Sequence, residues 1–161
     1  CMKTYNICFI GDTNTGKSHL IHTYVNGYKP PYTNHVTIGI EFNKKIYNNN
    51  ILHIWDYSQS GILNKYISSY LDNIDLFLIV VDSENWKSIQ NIFYYKTIVK
   101  NRSYHILVNK SDKIENMLYK TKLLDFLGKN FDNKYVFTSS FNKPELDTII
   151  NNIVNLEFSC V

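Results

Sequence analysis

A chain of 161 residues suits one domain and is long enough to bury a core. With 44% apolar and 19% charged residues it reads as soluble and globular. A net charge of +3 is too small for a nucleic-acid or polybasic membrane surface, no apolar run approaches the roughly 18 residues of a membrane-crossing helix, and Cys1 to Asn6 lack the form of a signal peptide.

Cys1, Cys8 and Cys160 give no disulfide framework, so a reducing, cytoplasmic compartment is expected. Cys8 lies in an apolar run and is expected as a buried thiol. The chain has 21 asparagines, one arginine (Arg102) and no alanine. Asn, Lys, Ile and Tyr share AT-rich codons, so this composition reports codon bias rather than function. It also weakens propensity arguments, because Asn fills helix positions where Ala or Glu is expected.

The run Tyr5–Ile10 reads as a buried strand. Leu20, Ile21, Tyr24 and Val25 then share one helical face. From Glu41 to Trp55, two extended pieces flank Asn48-Asn49-Asn50 and read as an antiparallel hairpin whose second arm, Ile51–Trp55, is apolar. Leu76–Val81 is the next buried strand, and Trp86 to Val99 is a single candidate helix. Tyr104–Val108 and Tyr135–Phe137 are further strands. Leu146, Ile149, Ile150, Ile153 and Val154 mark a last helix, with Pro144 suited to its first turn. Alternating strands and helices imply an α/β fold, a mostly parallel sheet covered on both faces. No repeat, linker or boundary interrupts residues 1–161, which are expected as one domain.

Polar motifs follow the apolar runs: Gly11–Ser18, Asp56, Asp82, Asn109–Asp112 and Thr138–Ser140. In an open α/β sheet ligands bind outside the carboxyl ends of the strands, so these motifs are expected along one edge. Gly11-Asp12-Thr13-Asn14-Thr15-Gly16-Lys17-Ser18 matches G-x-x-x-x-G-K-[ST], after a strand-like run and before a helix-like one. Such a loop points backbone N–H groups at phosphate oxygens. Lys17 is expected to reach the β- and γ-phosphates and the Ser18 hydroxyl to bind Mg²⁺. Asp12, Thr13, Asn14, Thr15, Gly16 and His19 complete the expected phosphate contacts. Asp56, at a strand end, can hold Mg²⁺ through water.

Asn109-Lys110-Ser111-Asp112 follows Ile106-Leu107-Val108 and resembles the guanine-specificity motif of GTPases. A carboxylate accepts from guanine N1–H and the exocyclic amine, a donor pair that adenine lacks, so Asp112 is expected to select guanine. Asn109 is expected to brace the loops, and the Lys110 stem to cover the base. Thr138-Ser139-Ser140 resembles the third base motif, usually T-S-A, with Ser140 in place of alanine.

With Thr37-Ile38-Gly39-Ile40-Glu41-Phe42, which resembles a first switch, and Ile54-Trp55-Asp56, the chain resembles the Ras superfamily of small GTPases, closest to the Rab branch, from about Lys3 to Phe158. The resemblance implies the P-loop small-GTPase fold and binding of GDP or GTP with Mg²⁺. It places Thr37 on Mg²⁺ and near the γ-phosphate, and Tyr28 or Tyr32 against the base. It further implies a monomer with effector, exchange-factor and GTPase-activating partners and a role in vesicle trafficking. Membrane association, on a cytoplasmic face, is expected only through a lipidated tail; Cys160 is second from the end, where a C-a-a-X signal needs it fourth.

Two departures stand out. The stretch from Thr37 to Asp56 is about four residues shorter than in Rab proteins. The family's D-T-A-G-Q becomes Asp56-Tyr57-Ser58-Gln59-Ser60, so Gln59 takes the glycine position and Ser60 that of the water-orienting glutamine. Slow hydrolysis is expected, with Gln59, Ser60 and Lys17 as the catalytic candidates. An alternative is a hydrolysis-deficient module acting as a decoy for Rab partners. His19 and His22 are expected as solvated surface, and Lys44-Lys45 as an exposed strand face.

Overall fold

A computed structural model describes residues 2–27, 39–57 and 69–158. In chain order the elements are β1 (Thr4–Ile10), α1 (Lys17–Asn26), β2 (Ile40–Tyr47), β3 (Asn50–Tyr57), β4 (Leu76–Asp82), α2 (Trp86–Gln90), α3 (Ile92–Val99), β5 (Ser103–Asn109), α4 (Met117–Phe131), β6 (Tyr135–Phe137) and α5 (Lys143–Phe158). The strands form one six-stranded sheet in the order β2-β3-β1-β4-β5-β6. Every neighbouring pair is parallel except β2 with β3. This is the α/β architecture of a P-loop small GTPase.

The sheet separates two cores because strand side chains alternate between faces. On β4, Phe77, Ile79 and Val81 enter one core with Ile89, Tyr95, Val99, Leu123 and Leu127. Leu76, Leu78 and Val80 enter the other with Leu20, Ile21, Leu146, Ile150 and Val154. Burial on both faces explains why β4 reads as an unbroken apolar run. The hairpin strands β2 and β3 meet in a two-residue turn, Asn48-Asn49, with φ of 47° and 62°. A right-twisted hairpin favours such a left-handed pair, and Asn tolerates it better than most side chains.

Three expectations need correcting. Trp86 to Val99 divides at Asn91 into α2 and α3, although Asn91 keeps a right-handed helical conformation and helical hydrogen bonds run from its N–H to the Lys87 carbonyl and from the Tyr95 N–H to its own carbonyl. Lys44 and Lys45 do not share an exposed face, since adjacent strand residues point oppositely. Lys45 turns inward, where Nζ donates to the Tyr24 carbonyl at 2.6 Å, lies 3.5 Å over the Tyr24 ring and pairs with Asp147 at 3.8 Å. His19 and His22 are half-buried rather than solvated.

Helix α4 was not anticipated. Its buried positions, Leu123, Leu127 and Phe131, keep helical spacing, but exposed Met117, Leu118 and Leu124 blur it. The cap was there to read: Asn116 Oδ1 accepts from the Tyr119 N–H at 3.0 Å.

Candidate functional site

The loop from Gly11 to Gly16 leaves β1 in the middle of the sheet and must turn at once beside β4. At Gly11, φ is 152° and a Cβ would lie 2.1 Å from the Val80 carbonyl oxygen. At Gly16, φ is 93° and a Cβ would lie 2.4 Å from Asn109 Nδ2. Only glycine fits either place. Gly11→Ala is expected to destabilise the fold by about 3 kcal/mol, as an overpacked, strained backbone position does. A urea midpoint equal to that of the native chain would contradict the close approach.

Gly16 is also the N-cap of α1 and offers no side-chain acceptor. The first amides of the helix are thus left for an anion, and the helix dipole favours one. Lys17 is buried, and Nζ donates to the Gly11 and Asp12 carbonyls at 2.9 and 2.7 Å. Burial lowers the ammonium pKa, against the pull of Asp56 and Asp12. Thr13 and Asn14 are exposed on the loop, and Asn14 adopts φ of 65°. Thr15 is buried, and Oγ1 donates to the Asp12 carbonyl at 3.0 Å. His19 lies half-buried on α1.

Ser18 and Asp56 come together: the Ser18 hydroxyl donates to Asp56 Oδ2. Asp56 Oδ1 is buried without a hydrogen-bond partner among the described residues. Burial raises the Asp56 pKa, against the Ser18 hydrogen bond and the Lys17 charge. A cation would restore that carboxylate's balance, and an anion that of Lys17. Hydroxyl and carboxylate are hard oxygen donors suited to Mg²⁺, which keeps waters for its other positions. Among the described residues no group of three or more His, Cys, Asp and Glu could cage a metal.

The loop after β5 is fastened to this loop. Asn109 is buried, with Nδ2 donating to the Thr15 carbonyl at 2.8 Å and Oδ1 accepting from Thr138 Oγ1 at 3.3 Å. Lys110 stands at φ of 61°, and its Nζ donates to the Asn14 carbonyl at 2.7 Å and to Asp82 at 2.5 Å. Ser111–Lys113 is a single 3₁₀ turn. It leaves Asp112 exposed, with one oxygen accepting from Ser139 Oγ at 2.6 Å. Ser140 is half-buried in the turn after β6. The motifs after β1, β3, β4, β5 and β6 therefore meet along one edge of the sheet. Tyr28, Tyr32, Thr37, Gln59 and Ser60 lie outside the described residues.

Sequence reasoning missed two residues here. Asn91 Nδ2 and the Tyr95 hydroxyl each donate to the Asp12 carboxylate at 2.8 Å. Among 21 asparagines and 13 tyrosines nothing marks these two. Only their spacing of four, on one helical face opposite the loop, connects them.

Residues 6–112, more than half of the chain, match the family described as Ras of Complex, Roc, domain of DAPkinase. The chain is similar to a probable Rab-related GTPase of Acanthamoeba polyphaga mimivirus, 26% identical over 94% of this chain and 75% of that protein. It is 29% identical to ADP-ribosylation factor-like protein 5 of Caenorhabditis elegans, over 68% of this chain and 64% of that one. GTPase Der of Karelsulcia muelleri is 27% identical over 95% of this chain, which spans only 40% of Der. No described helix is long and apolar enough to cross a membrane.

Proposed function

The chain belongs to the Ras of Complex (Roc) domain family, and from that premise we propose that it is a Rab-like guanine-nucleotide switch that binds GDP or GTP with Mg²⁺ and hydrolyses GTP slowly. One observation carries the reading. Asn109 and Lys110 bond the carbonyls of Thr15 and Asn14, so the loop suited to phosphates and the loop bearing Asp112 form one continuous seat. On this reading the phosphates lie at the α1 end and the base at Asp112. Ser139 holds Asp112 from the side, so the carboxylate is pre-oriented for the two donors of guanine. Lys110, anchored at its tip, lays its stem along the base.

Mg²⁺ would be held by Ser18 and Asp56, with Thr37 added by resemblance. When bound, it neutralises charge developing on the transferred phosphoryl group. Slow turnover follows from side chains. Ser60 is too short to orient the attacking water as glutamine does. Arg102, the chain's one arginine, cannot act as a finger in its present place. Its guanidinium donates to the Leu71, Val99 and Ile98 carbonyls and lies over Phe77.

A partner-reading surface fits the exposed aromatic corner beside the hairpin. Phe42 and Tyr70 are 50% and 60% exposed. The Phe42 ring stands 4.8 Å from that of Trp55, which together with Tyr70, Cys8, Leu71 and Ile74 lines a cavity of about 490 Å³. Exposed clustered aromatics of this kind are characteristic of protein-binding sites. That corner also supports a second reading, in which hydrolysis is lost and the protein serves as a binding module for Rab partners. Effectors, trafficking and a cytoplasmic membrane face remain tied to the Rab resemblance.

The experiment is to identify the nucleotide released from protein purified without added nucleotide, then to follow a single turnover of GTP. Bound guanine nucleotide and turnover slower than that of ordinary Rab proteins are expected. Retained GTP with no turnover would favour the binding-module reading, and protein free of guanine nucleotide that takes up none would end both. A rate matching ordinary Rab proteins and lost on Gln59→Leu would show that Gln59 orients the water.

A further inference from the structure

Asp12 and Lys17 are the two charged side chains of the segment Gly11–Ser18. A carboxylate is an odd presence on a loop whose amides, lysine and helix end all attract anions. Free to swing over the loop, it would repel phosphate and compete for the same donors. In the structure both its oxygens are occupied from the helices. Oδ2 accepts from Asn91 Nδ2 and Oδ1 from the Tyr95 hydroxyl, each at 2.8 Å. The Asp12 carbonyl is held separately, by Lys17 Nζ and Thr15 Oγ1 from within the loop. One residue is thus fixed twice, its side chain by α2 and α3 and its main chain by the loop.

We propose that Asn91 and Tyr95 are positioning residues of the nucleotide site, which draw the Asp12 carboxylate toward α3 and so keep its charge off the phosphates and the first turn of the loop in its binding shape. This rests on the nucleotide-binding reading above. The sites are well made for the task. Asn91 occupies the break between α2 and α3, where its amide is not committed to capping. Tyr95 is fully buried, so its ring has one place to lie. Burial, and then the neighbouring carboxylate, hold the phenol well above its ordinary pKa, so it remains a donor at every physiological pH. Helical hydrogen bonds run across Asn91, from its N–H to the Lys87 carbonyl and from the Tyr95 N–H to its own carbonyl, and so keep Asn91 and Tyr95 on one face toward Asp12.

Tyr95→Phe removes the hydroxyl and keeps the buried ring; Asn91→Ala removes the second donor by a different route. The probe is GDP carrying a fluorescent ribose label, with its dissociation rate measured at fixed Mg²⁺. Losing a hydrogen bond to a charged group is expected to speed release about tenfold in each variant. Asp12→Asn then separates positioning from mere stability. In the Tyr95→Phe background it removes the charge that needed restraint, so release should return to within about twofold of Asp12→Asn alone. Unchanged release in both single variants would overturn the proposal. So would fast release that persists undiminished after Asp12→Asn, which would mark Tyr95 as a packing residue only. The native chain is the control for the underlying reading: failure to retain labelled GDP overturns the nucleotide site itself, and this inference with it.

Discussion

Lys17→Ala is expected to deprive the chain of nucleotide. Lys17 is 6% exposed, and its ammonium is bonded to two loop carbonyls. Removing it does two things at once. The Gly11 carbonyl loses its ammonium donor in a place water reaches poorly, where an unmet acceptor is costly, while the Asp12 carbonyl keeps only Thr15 Oγ1. The phosphates also lose the cation buried against the loop, leaving the backbone dipoles with less help to face their charge. Truncating one partner of a buried charged contact costs about 2–5 kcal/mol, or roughly thirty-fold to several-thousand-fold in affinity. Calorimetry with GDP and Mg²⁺ measures this directly. The melting temperature of the variant should also cease to rise with added GDP, because a ligand that no longer binds the folded state cannot stabilise it. Native-like GDP affinity would show that the phosphates sit elsewhere.

Asp112→Asn is expected to exchange guanine for xanthine. The Asp112 carboxylate accepts only, and Ser139 engages one of its oxygens. Guanine presents two donors to such a group. The asparagine amide answers one donor with another, which is a loss of attraction and a clash of like dipoles. Xanthine carries an oxygen where guanine carries the amine, so it accepts from the new amide. Sites built on hydrogen bonds reject a mismatched partner by about 10⁴-fold or more when the mismatch is buried. Asp112 is exposed in this structure, so a loss nearer 10²-fold is expected for GDP. Competition between GDP and XDP for the variant reads out the exchange. Equal preference for GDP before and after the substitution would remove Asp112 from the base site.

The fold was legible in the sequence wherever one rule governed a segment. The central strands read as apolar runs because helices cover both faces of the sheet, so no alternation is needed. The hairpin was legible because Asn48 and Asn49 supply the backbone conformation its turn demands. Legibility failed where a residue's reason lies far along the chain. Asn91 gives its side-chain amide to Asp12, 79 residues away. Lys45 points inward because Tyr24 and Asp147 wait for it across two other elements. Helix α4 hid behind Leu118, an apolar residue 84% exposed, where the pattern calls for a polar one. At the site, the motif loops announced themselves because their chemistry is local and fixed in spacing. The ties of Asn109 to Thr15 and of Lys110 to Asp82 depend on which strands lie side by side, and that is a property of the sheet order.

Asparagine does the work of glycine at several bends of this chain, including Asn14, Asn48, Asn49 and Asn133, all at positive φ. That choice puts the molecule on a clock. Asparagine is among the thermolabile residues, and slow hydrolysis of its side-chain amide turns a neutral bend into a charged one. At the hairpin tip, where Asn48 Nδ2 donates to Asn155 Oδ1 at 3.4 Å, an extra carboxylate would forfeit that bond and face an acceptor. At Asn14, whose carbonyl anchors Lys110, it would stand at the rim of a site built to attract anions. Age would therefore act on this protein as a change of charge at its binding edge and its outer bends, away from the two cores on either side of β4.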